Sequence, residues 1–110
     1  MKLSNETVAR NEAIIAQIES IGGGCVWEEY FAVSLIDVAT TDRDVADIPD
    51  LRGVQQIALD ARNLSFPVLA AIARIPGLES LVLSHAALSD PQLQALQAAV
   101  PEVVLAEDAG

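Results

Sequence analysis

A repeat of 24 residues constrains the fold of this chain more than any other feature of its sequence. Three strand-like segments align at that offset, and they are Val33-Ser34-Leu35, Ile57-Ala58-Leu59 and Leu81-Val82-Leu83. An internal period of this length is typical of a solenoid, in which each unit buries its apolar side by stacking on its neighbours. The period therefore predicts an architecture, whereas it indicates nothing about an activity.

The period divides the 110-residue chain into three parts of a single domain, which is near the commonest domain size. Residues 4–24 are predicted to form a capping helix and a glycine stop, because isoleucines at helical spacing precede three consecutive glycines. Residues 25–105 are predicted to hold three 24-residue repeats plus a terminal strand, and residues 106–110 a tail.

Each repeat is predicted to contain a short strand, a turn and a helical stretch on the convex side. The second repeat has its strand at 54–59 and its helix at 67–75, and the third has them at 78–83 and 91–100. The first repeat carries Pro49 in the corresponding segment, which predicts a short or 3₁₀ turn in place of a helix. The expected fold is an α/β solenoid with a parallel sheet.

The strand and turn of the third repeat read Leu78-x-x-Leu81-x-Leu83-x-x-x-x-Leu88, and the second repeat has nearly the same pattern from Val54. In this pattern the chain resembles the leucine-rich repeat family, in particular short bacterial members with about three repeats and a helical N-terminal cap. The resemblance implies a parallel sheet with helices or turns on its convex side. It also implies, as a base rate for the family, protein–protein interaction.

Two features depart from that family pattern. The place of the asparagine that usually bonds the turn backbone is taken by Val38, Arg62 and Ala86 in the three repeats. Thr40 stands in the first repeat where a leucine is expected. These departures concern the turns that follow the strands.

The charge balance excludes some classes of partner. The chain has 16 acidic and 6 basic side chains, for a net charge of -10, whereas nucleic acids and anionic membranes require a basic surface. The single cysteine rules out an internal disulfide and favours a reducing compartment. With no signal peptide and no apolar run of about 18 residues, we expect a cytoplasmic location.

Cys25 and His85 are the only residues of their types, so a nucleophilic pair is one interpretation. Two strand spacings of about 4.8 Å would separate them, which favours a packed cysteine and a turn histidine. The glycines at 22–24 follow a helix, whereas the glycines of a phosphate loop precede one. Helix termination is their favoured role.

An acidic run, Asp42-x-Asp44-x-x-Asp47-x-x-Asp50, raises the question of a calcium site. A calcium loop that begins at Asp42 needs glycine at its sixth place and glutamate at its twelfth, where this chain has Asp47 and Gly53. The alternative is a convex turn that begins with acidic residues, which the helix dipole favours. We expect neither a metal nor a cofactor.

Three surfaces are candidates for binding a protein partner. Trp27 and Phe31 lie in an aromatic segment that is either an interaction site or the packed seam between the capping helix and the first repeat. The edge strand at 103–105 could pair with a second copy of the chain. The third candidate is the strand face opposite the apolar positions, predicted to be exposed and formed by Ser34, Gln56, Ala58, Asp60, Ser80, Val82 and Ser84.

The leading functional prediction is a non-enzymatic protein–protein interaction module. The alternative is an acidic inhibitor or immunity-type protein that binds a basic partner, for which the net charge of -10 is the basis. An enzyme that uses Cys25 and His85 is the third hypothesis. The sequence identifies no catalytic, cofactor-binding or metal-binding residue.

Overall fold

The computed structural model describes residues 4–26 and 31–106 of the chain. Within them the protein is an α/β structure with a five-stranded, mostly parallel sheet and three α-helices. In chain order the elements are α1 (Asn5–Ser20), β1 (Gly24–Val26), β2 (Ala32–Ala39), a 3₁₀ turn (Ile48–Asp50), β3 (Gln56–Asp60), α2 (Phe66–Ala73), β4 (Ser80–Ser84), α3 (Asp90–Ala99) and β5 (Glu102–Ala106). None of the helices in these two ranges is long and apolar enough to cross a membrane.

The strands lie in the sheet in chain order, from β1 at one edge to β5 at the other. Val33 of β2 pairs with Ile57 of β3, and Ile57 pairs with Leu81 of β4. The 24-residue offset in the sequence is therefore also the pairing register of β2, β3 and β4. Leu81 pairs in turn with Val103 of β5, an offset of 22 residues.

The prediction of an entirely parallel sheet is wrong for β1, which pairs antiparallel with β2. Gly24 pairs with Ser34, and Val26 pairs with Ala32. The segment between β1 and β2 is short, and parallel neighbours require a crossover of a dozen or more residues. The short connection therefore dictates the antiparallel pairing.

The core is aliphatic and lies between the inner face of the sheet and the helices. Leu59 and Leu83, which pair across β3 and β4, are fully buried. Ile18 of α1, Ile72 of α2 and Leu96 of α3 belong to the same cluster. Burial of each such side chain stabilises the fold by roughly 1.5–3 kcal/mol.

The end of α1 confirms that the glycine run terminates the helix. Gly22 has a φ of 98°, and the backbone N–H of Gly23 donates to the carbonyl of Ile18 at 2.9 Å. Together these are the left-handed residue and the long closing bond of a Schellman motif. A Cβ on Gly23 would overlap the side chains of Leu35 and Ile18, so glycine also permits α1 to pack closely on β2.

The connection from β2 to β3 confirms the effect predicted for Pro49. It contains the 3₁₀ turn, with the proline at its start, in the place where the next two connections contain α2 and α3. Thr40, which stands in a leucine position of the repeat, is buried at this point. Its hydroxyl finds no hydrogen-bond partner among the described residues.

Candidate functional site

The outer face is the face of the sheet opposite the core. It is more buried than the sequence predicts. The register places the predicted residues on this face, since Gln56 pairs with Ser80 and Ala58 with Val82. Ser34 is exposed, and Gln56 and Val82 are half-buried. The prediction of exposure is wrong for four members, which are Ala58, Asp60, Ser80 and Ser84.

Physical size explains these four buried positions. Short side chains on inner strands are shielded by their neighbours, which stand only about 5 Å away in the sheet. The Ser80 hydroxyl also donates to Glu102 Oε1 at 2.9 Å, and the Ser84 hydroxyl donates to the Leu59 carbonyl at 3.4 Å. The outer face therefore consists largely of short side chains, and the hydroxyls of Ser80 and Ser84 have hydrogen-bond partners within the chain.

Of the two aromatic candidates, Phe31 lies in the core and Trp27 lies outside the described residues. Phe31 is buried and belongs to the core cluster, and its carbonyl accepts the backbone N–H of Gln55 at 2.8 Å. Packing is therefore the role of Phe31 in the structure. Trp27 lies outside the described residues, as do 107–110 of the predicted tail, whereas Ala106 belongs to β5.

β5 is an edge strand of the described sheet and carries exposed apolar side chains. Val104 is 39% exposed and Leu105 is 41% exposed. The backbone N–H of Glu102 donates to Glu79 at 3.1 Å, toward β4. Because backbone groups alternate along a parallel strand, the N–H and C=O groups of Val103 and Leu105 point away from β4.

A crevice lies at the carboxyl ends of β3 and β4, with a volume of about 160 Å³. Its walls come from the segments that follow these two strands, including the first turns of α2 and α3. Its polar walls are Arg62, His85 and Gln92. The other lining residues are apolar, and they are Ala61, Leu64, Phe66, Leu69, Ala86, Ala87 and Leu88.

A buried carboxylate holds Arg62 in place beside this crevice. The Asp60 side chain is 0% exposed and accepts the Arg62 backbone N–H at 3.1 Å. It also accepts Arg62 Nε at 2.9 Å, and its Oδ2 lies 2.7 Å from Arg62 Nη2 in an ion pair. The hydrogen bond from the Arg62 side chain holds the pKa of Asp60 below its usual value, although burial acts in the opposite direction.

His85 follows β4 in a left-handed backbone conformation, with a φ of 54°. Outside glycine this conformation is uncommon, although histidine adopts it more readily than most residues. His85 lines the same crevice as Arg62 and also contributes to lowering the pKa of Asp60. Asp60, Arg62 and His85 therefore form one polar group at the carboxyl ends of the strands.

The Cys25–His85 pair is not brought together. Cys25 lies in β1, and His85 follows β4, so three strand spacings of about 4.8 Å separate their strands. Burial, with a smaller effect from Glu19, raises the pKa of the Cys25 thiol. A raised pKa disfavours the thiolate, which is the nucleophilic form.

The carboxylates of the acidic run have partners within the chain. Asp42 accepts the backbone N–H of Ser65 at 2.8 Å, and Asp44 accepts that of Thr41 at 3.0 Å. Arg10 of α1 lies 3.3 Å from Asp47 and 2.9 Å from Asp50. Within the described ranges no three side chains of the metal-binding types converge on one point.

Sequence reasoning identified Asp60 and Arg62 separately and missed their pairing. The sequence pattern places Asp60 as an exposed charge on the outer face and Arg62 in the position of the turn asparagine. The signal was the spacing of two residues between opposite charges, at places where the third repeat has Ser84 and Ala86. The crevice itself has no sequence signal, because ordinary repeat leucines form most of its wall.

Comparisons with models of protein families, with curated proteins and with solved structures find no match for this chain. The geometry of the β5 edge and of the crevice is therefore the basis for the functional proposals that follow.

Proposed function

We propose that this protein is a non-enzymatic protein–protein interaction module built from leucine-rich-repeat-like units. The shared 24-residue register of β2, β3 and β4 supports the repeat interpretation. The observation that carries the function is the apolar edge strand β5, where Val104 and Leu105 are exposed. An edge strand with apolar side chains and outward backbone groups binds another strand by β-augmentation.

The partner at this edge is a second copy of the chain, because β5 is self-complementary. In an antiparallel pair with a two-fold axis at Val104, that residue faces its own copy. Val103 then faces Leu105, and Glu102 faces Ala106. The central pairs, formed by Val103, Val104 and Leu105, are apolar on both sides, and no like charges stand opposite one another, which favours a stable cross-strand pairing.

The backbone supports the same register. The outward N–H and C=O groups belong to Val103 and Leu105, because Glu102 bonds toward β4. In the proposed pair these two residues are directly opposite each other and exchange both hydrogen bonds, as in the closely spaced pairs of an antiparallel ladder. The two sheets would then form one continuous sheet.

Sedimentation velocity over a range of concentrations tests this proposal with a matched pair of variants. Val104→Lys places two like charges face to face across the two-fold axis, so we expect it to be monomeric where the wild type dimerises. Val26→Lys introduces the same change at a residue that is 62% exposed on the opposite edge strand. We expect it to dimerise normally. A wild type that stays monomeric at millimolar concentration would contradict the proposal.

The acidic-inhibitor alternative remains a prediction that rests on the net charge of -10. Part of that charge is already engaged within the chain, since Asp47 and Asp50 pair with Arg10. An association with a basic protein that weakens steeply with added salt would favour this alternative.

A further inference from the structure

We propose that the crevice at the carboxyl ends of β3 and β4 anchors a single aromatic side chain of a protein partner, flanked in that partner by basic residues. The inference rests on the proposed interaction function, but it uses a site separate from the β5 edge. The crevice has apolar walls formed by Leu64, Phe66, Leu69 and Leu88, and polar groups from Arg62, His85 and Gln92.

The size of the crevice selects the occupant. Its volume of about 160 Å³ is below the roughly 300–1,000 Å³ of sites that hold cofactors and metabolites. In volume it accommodates about one aromatic ring, since about 150 Å³ is enough to hold one benzene molecule. A single side chain inserted by a partner therefore fits better than a free ligand of metabolite size. Such pockets hold the hot-spot anchors of protein interfaces, where aromatic residues are enriched.

The chemistry of the walls favours an aromatic ring over an aliphatic side chain. Arg62 donates to Asp60 from Nε at 2.9 Å, and its Nη2 lies 2.7 Å from the same carboxylate in an ion pair. Both atoms lie on the edge of the guanidinium plane, and a guanidinium held by its edge stacks on aromatic rings through its face. Because Asp60 is fully buried, it fixes this plane before any partner binds. A ring hydroxyl could also bond to His85 or Gln92, which line the same crevice.

Charge complementarity determines the residues on either side of that ring. The chain carries a net charge of -10, and Asp90, two residues before Gln92 of the crevice wall, is exposed. An acidic surface increases the association rate of basic partners and disfavours acidic ones. The expected recognition element is therefore a tyrosine or another aromatic residue with lysine or arginine neighbours.

NMR titration of the isotopically labelled chain tests this inference with three short peptides. They share lysine flanks and differ at the central residue, which is tyrosine, leucine or alanine. We expect the tyrosine peptide to bind at least about tenfold more tightly than the leucine peptide, with the largest shifts at His85, Leu88 and Gln92. We expect only a diffuse electrostatic effect from the alanine peptide. Equal binding of all three peptides, or shifts away from the crevice, would overturn the inference.

A matched pair of variants localises the site. Ala86→Leu fills the crevice, so we expect the tyrosine peptide to bind about tenfold more weakly. Ala95→Leu makes the same change on an exposed position of α3 and should bind like the wild type. If Ala86→Leu does not fold, the wild type shows whether the ring occupies the crevice. We expect cross-relaxation between the peptide ring and the methyl groups of Leu69 and Leu88, and its absence overturns the inference.

The same titration on Val104→Lys distinguishes the two proposals. Retained peptide binding in that monomeric variant supports the crevice independently of self-association. Binding lost only in that variant would overturn the crevice as a separate site. Binding of free p-cresol as tight as that of the tyrosine peptide would overturn the assignment to a protein side chain.

Discussion

The first repeat and the two that follow it share a register but differ in how they continue past the strand. β2, β3 and β4 pair in step, with Val33, Ile57 and Leu81 in line. After β3 and β4 the chain forms α2 and α3, whereas after β2 it forms only a 3₁₀ turn. The apolar positions common to all three repeats form the shared core beneath the sheet. The residues that differ between the repeats determine whether a helix or a 3₁₀ turn follows each strand.

The second and third repeats also differ from each other, in ways that the shared pattern hides. Arg62 of the second repeat is held by Asp60, whereas the third repeat has Ala86 in the corresponding place. α3 begins with a capping box between Ser89 and Gln92, whereas Ser65 makes no side-chain cap for α2. Because of these differences, a substitution in one repeat can be compared with the same substitution at the equivalent position of another.

The largest expected effect tests whether the inner and outer faces of the sheet are assigned correctly. Leu81 is fully buried on the inner face, and its neighbour Val82 is half-buried on the outer face. We expect Leu81→Ala to lower the free energy of unfolding by about 3 kcal/mol, since it leaves a cavity in the core. Val82→Ala should cost less than about 1 kcal/mol. Urea denaturation of both variants provides the comparison, and similar losses would show that the assignment is wrong.

Removal of Arg62 tests the feature that distinguishes the second repeat. Arg62→Ala leaves the Asp60 carboxylate buried without its cation, so we expect a loss of about 2 kcal/mol at neutral pH. This lies below the usual range for a broken buried pair because Arg62 is half-exposed. Arg74→Ala, at an exposed position after α2, is the control and should have little effect.

The pH dependence of that loss has a definite sign. In the wild type the pKa of Asp60 is lowered, chiefly by Arg62, so the pair stabilises the fold above the unfolded pKa of about 3.9. This contribution disappears as the pH falls through the lower folded pKa. Arg62→Ala removes the largest influence that lowers the pKa of Asp60, while burial still raises it against the remaining backbone N–H and His85. The pKa of Asp60 is therefore higher in the variant, and its carboxylate is protonated first as the pH falls. The difference in stability should shrink from pH 7 toward pH 4, and a constant difference would contradict the account.

Thr40 stands where the repeat pattern has a leucine, and we expect it to make the first repeat less stable than an apolar residue would. Its hydroxyl is buried and has no hydrogen-bond partner among the described residues. We expect Thr40→Val to raise the free energy of unfolding by about 1 kcal/mol, because it removes an unsatisfied polar group. Thr41→Val is the matched variant at the exposed neighbouring position, where the hydroxyl donates to Asp44 at 3.2 Å, so we expect it to lower stability slightly instead of raising it. A loss of stability in Thr40→Val would reveal a partner for the hydroxyl.

The smallest expected effect compares the two helix starts. The Ser89 side chain accepts the backbone N–H of Gln92 at 3.3 Å, so Ser89→Ala should destabilise the protein by about 1 kcal/mol. The Ser65 side chain makes no such bond, and its backbone N–H donates to Asp42. We expect Ser65→Ala to cost only a few tenths of a kcal/mol. Thermal unfolding of both variants checks the difference, and equal losses would refute it.

The fold was predictable from the sequence wherever a residue acts through periodicity. The register, α2 and α3, the glycine stop and the 3₁₀ turn at Pro49 follow from apolar spacing and from proline and glycine geometry. The antiparallel β1 was not predicted, because its direction depends on the length of the connection and not on its own three residues. Burial of Ala58 and Ser80 was also missed, since neighbouring strands shield them and a strand pattern shows only the direction of a side chain.

The candidate site was less predictable, because it depends on contacts between specific side chains. The apolar character of β5 was visible in the sequence, and the structure adds which backbone groups point outward. The crevice combines Arg62 from one repeat with His85 and Gln92 from the next. A repeat pattern places these residues at different positions of different units, so only the three-dimensional packing brings them together.

Amide hydrogen exchange of β5 at low and high protein concentration tests the proposed self-association most directly. Val103 and Leu105 carry the outward N–H groups, and the N–H of Val104 points toward β4 by alternation. In the dimer we expect protection of Val103 and Leu105 to rise with concentration, whereas Val104 is already protected at low concentration. If Val103 and Leu105 exchange at the same rate at every concentration while the sheet remains folded, pairing through β5 does not occur and the account is wrong.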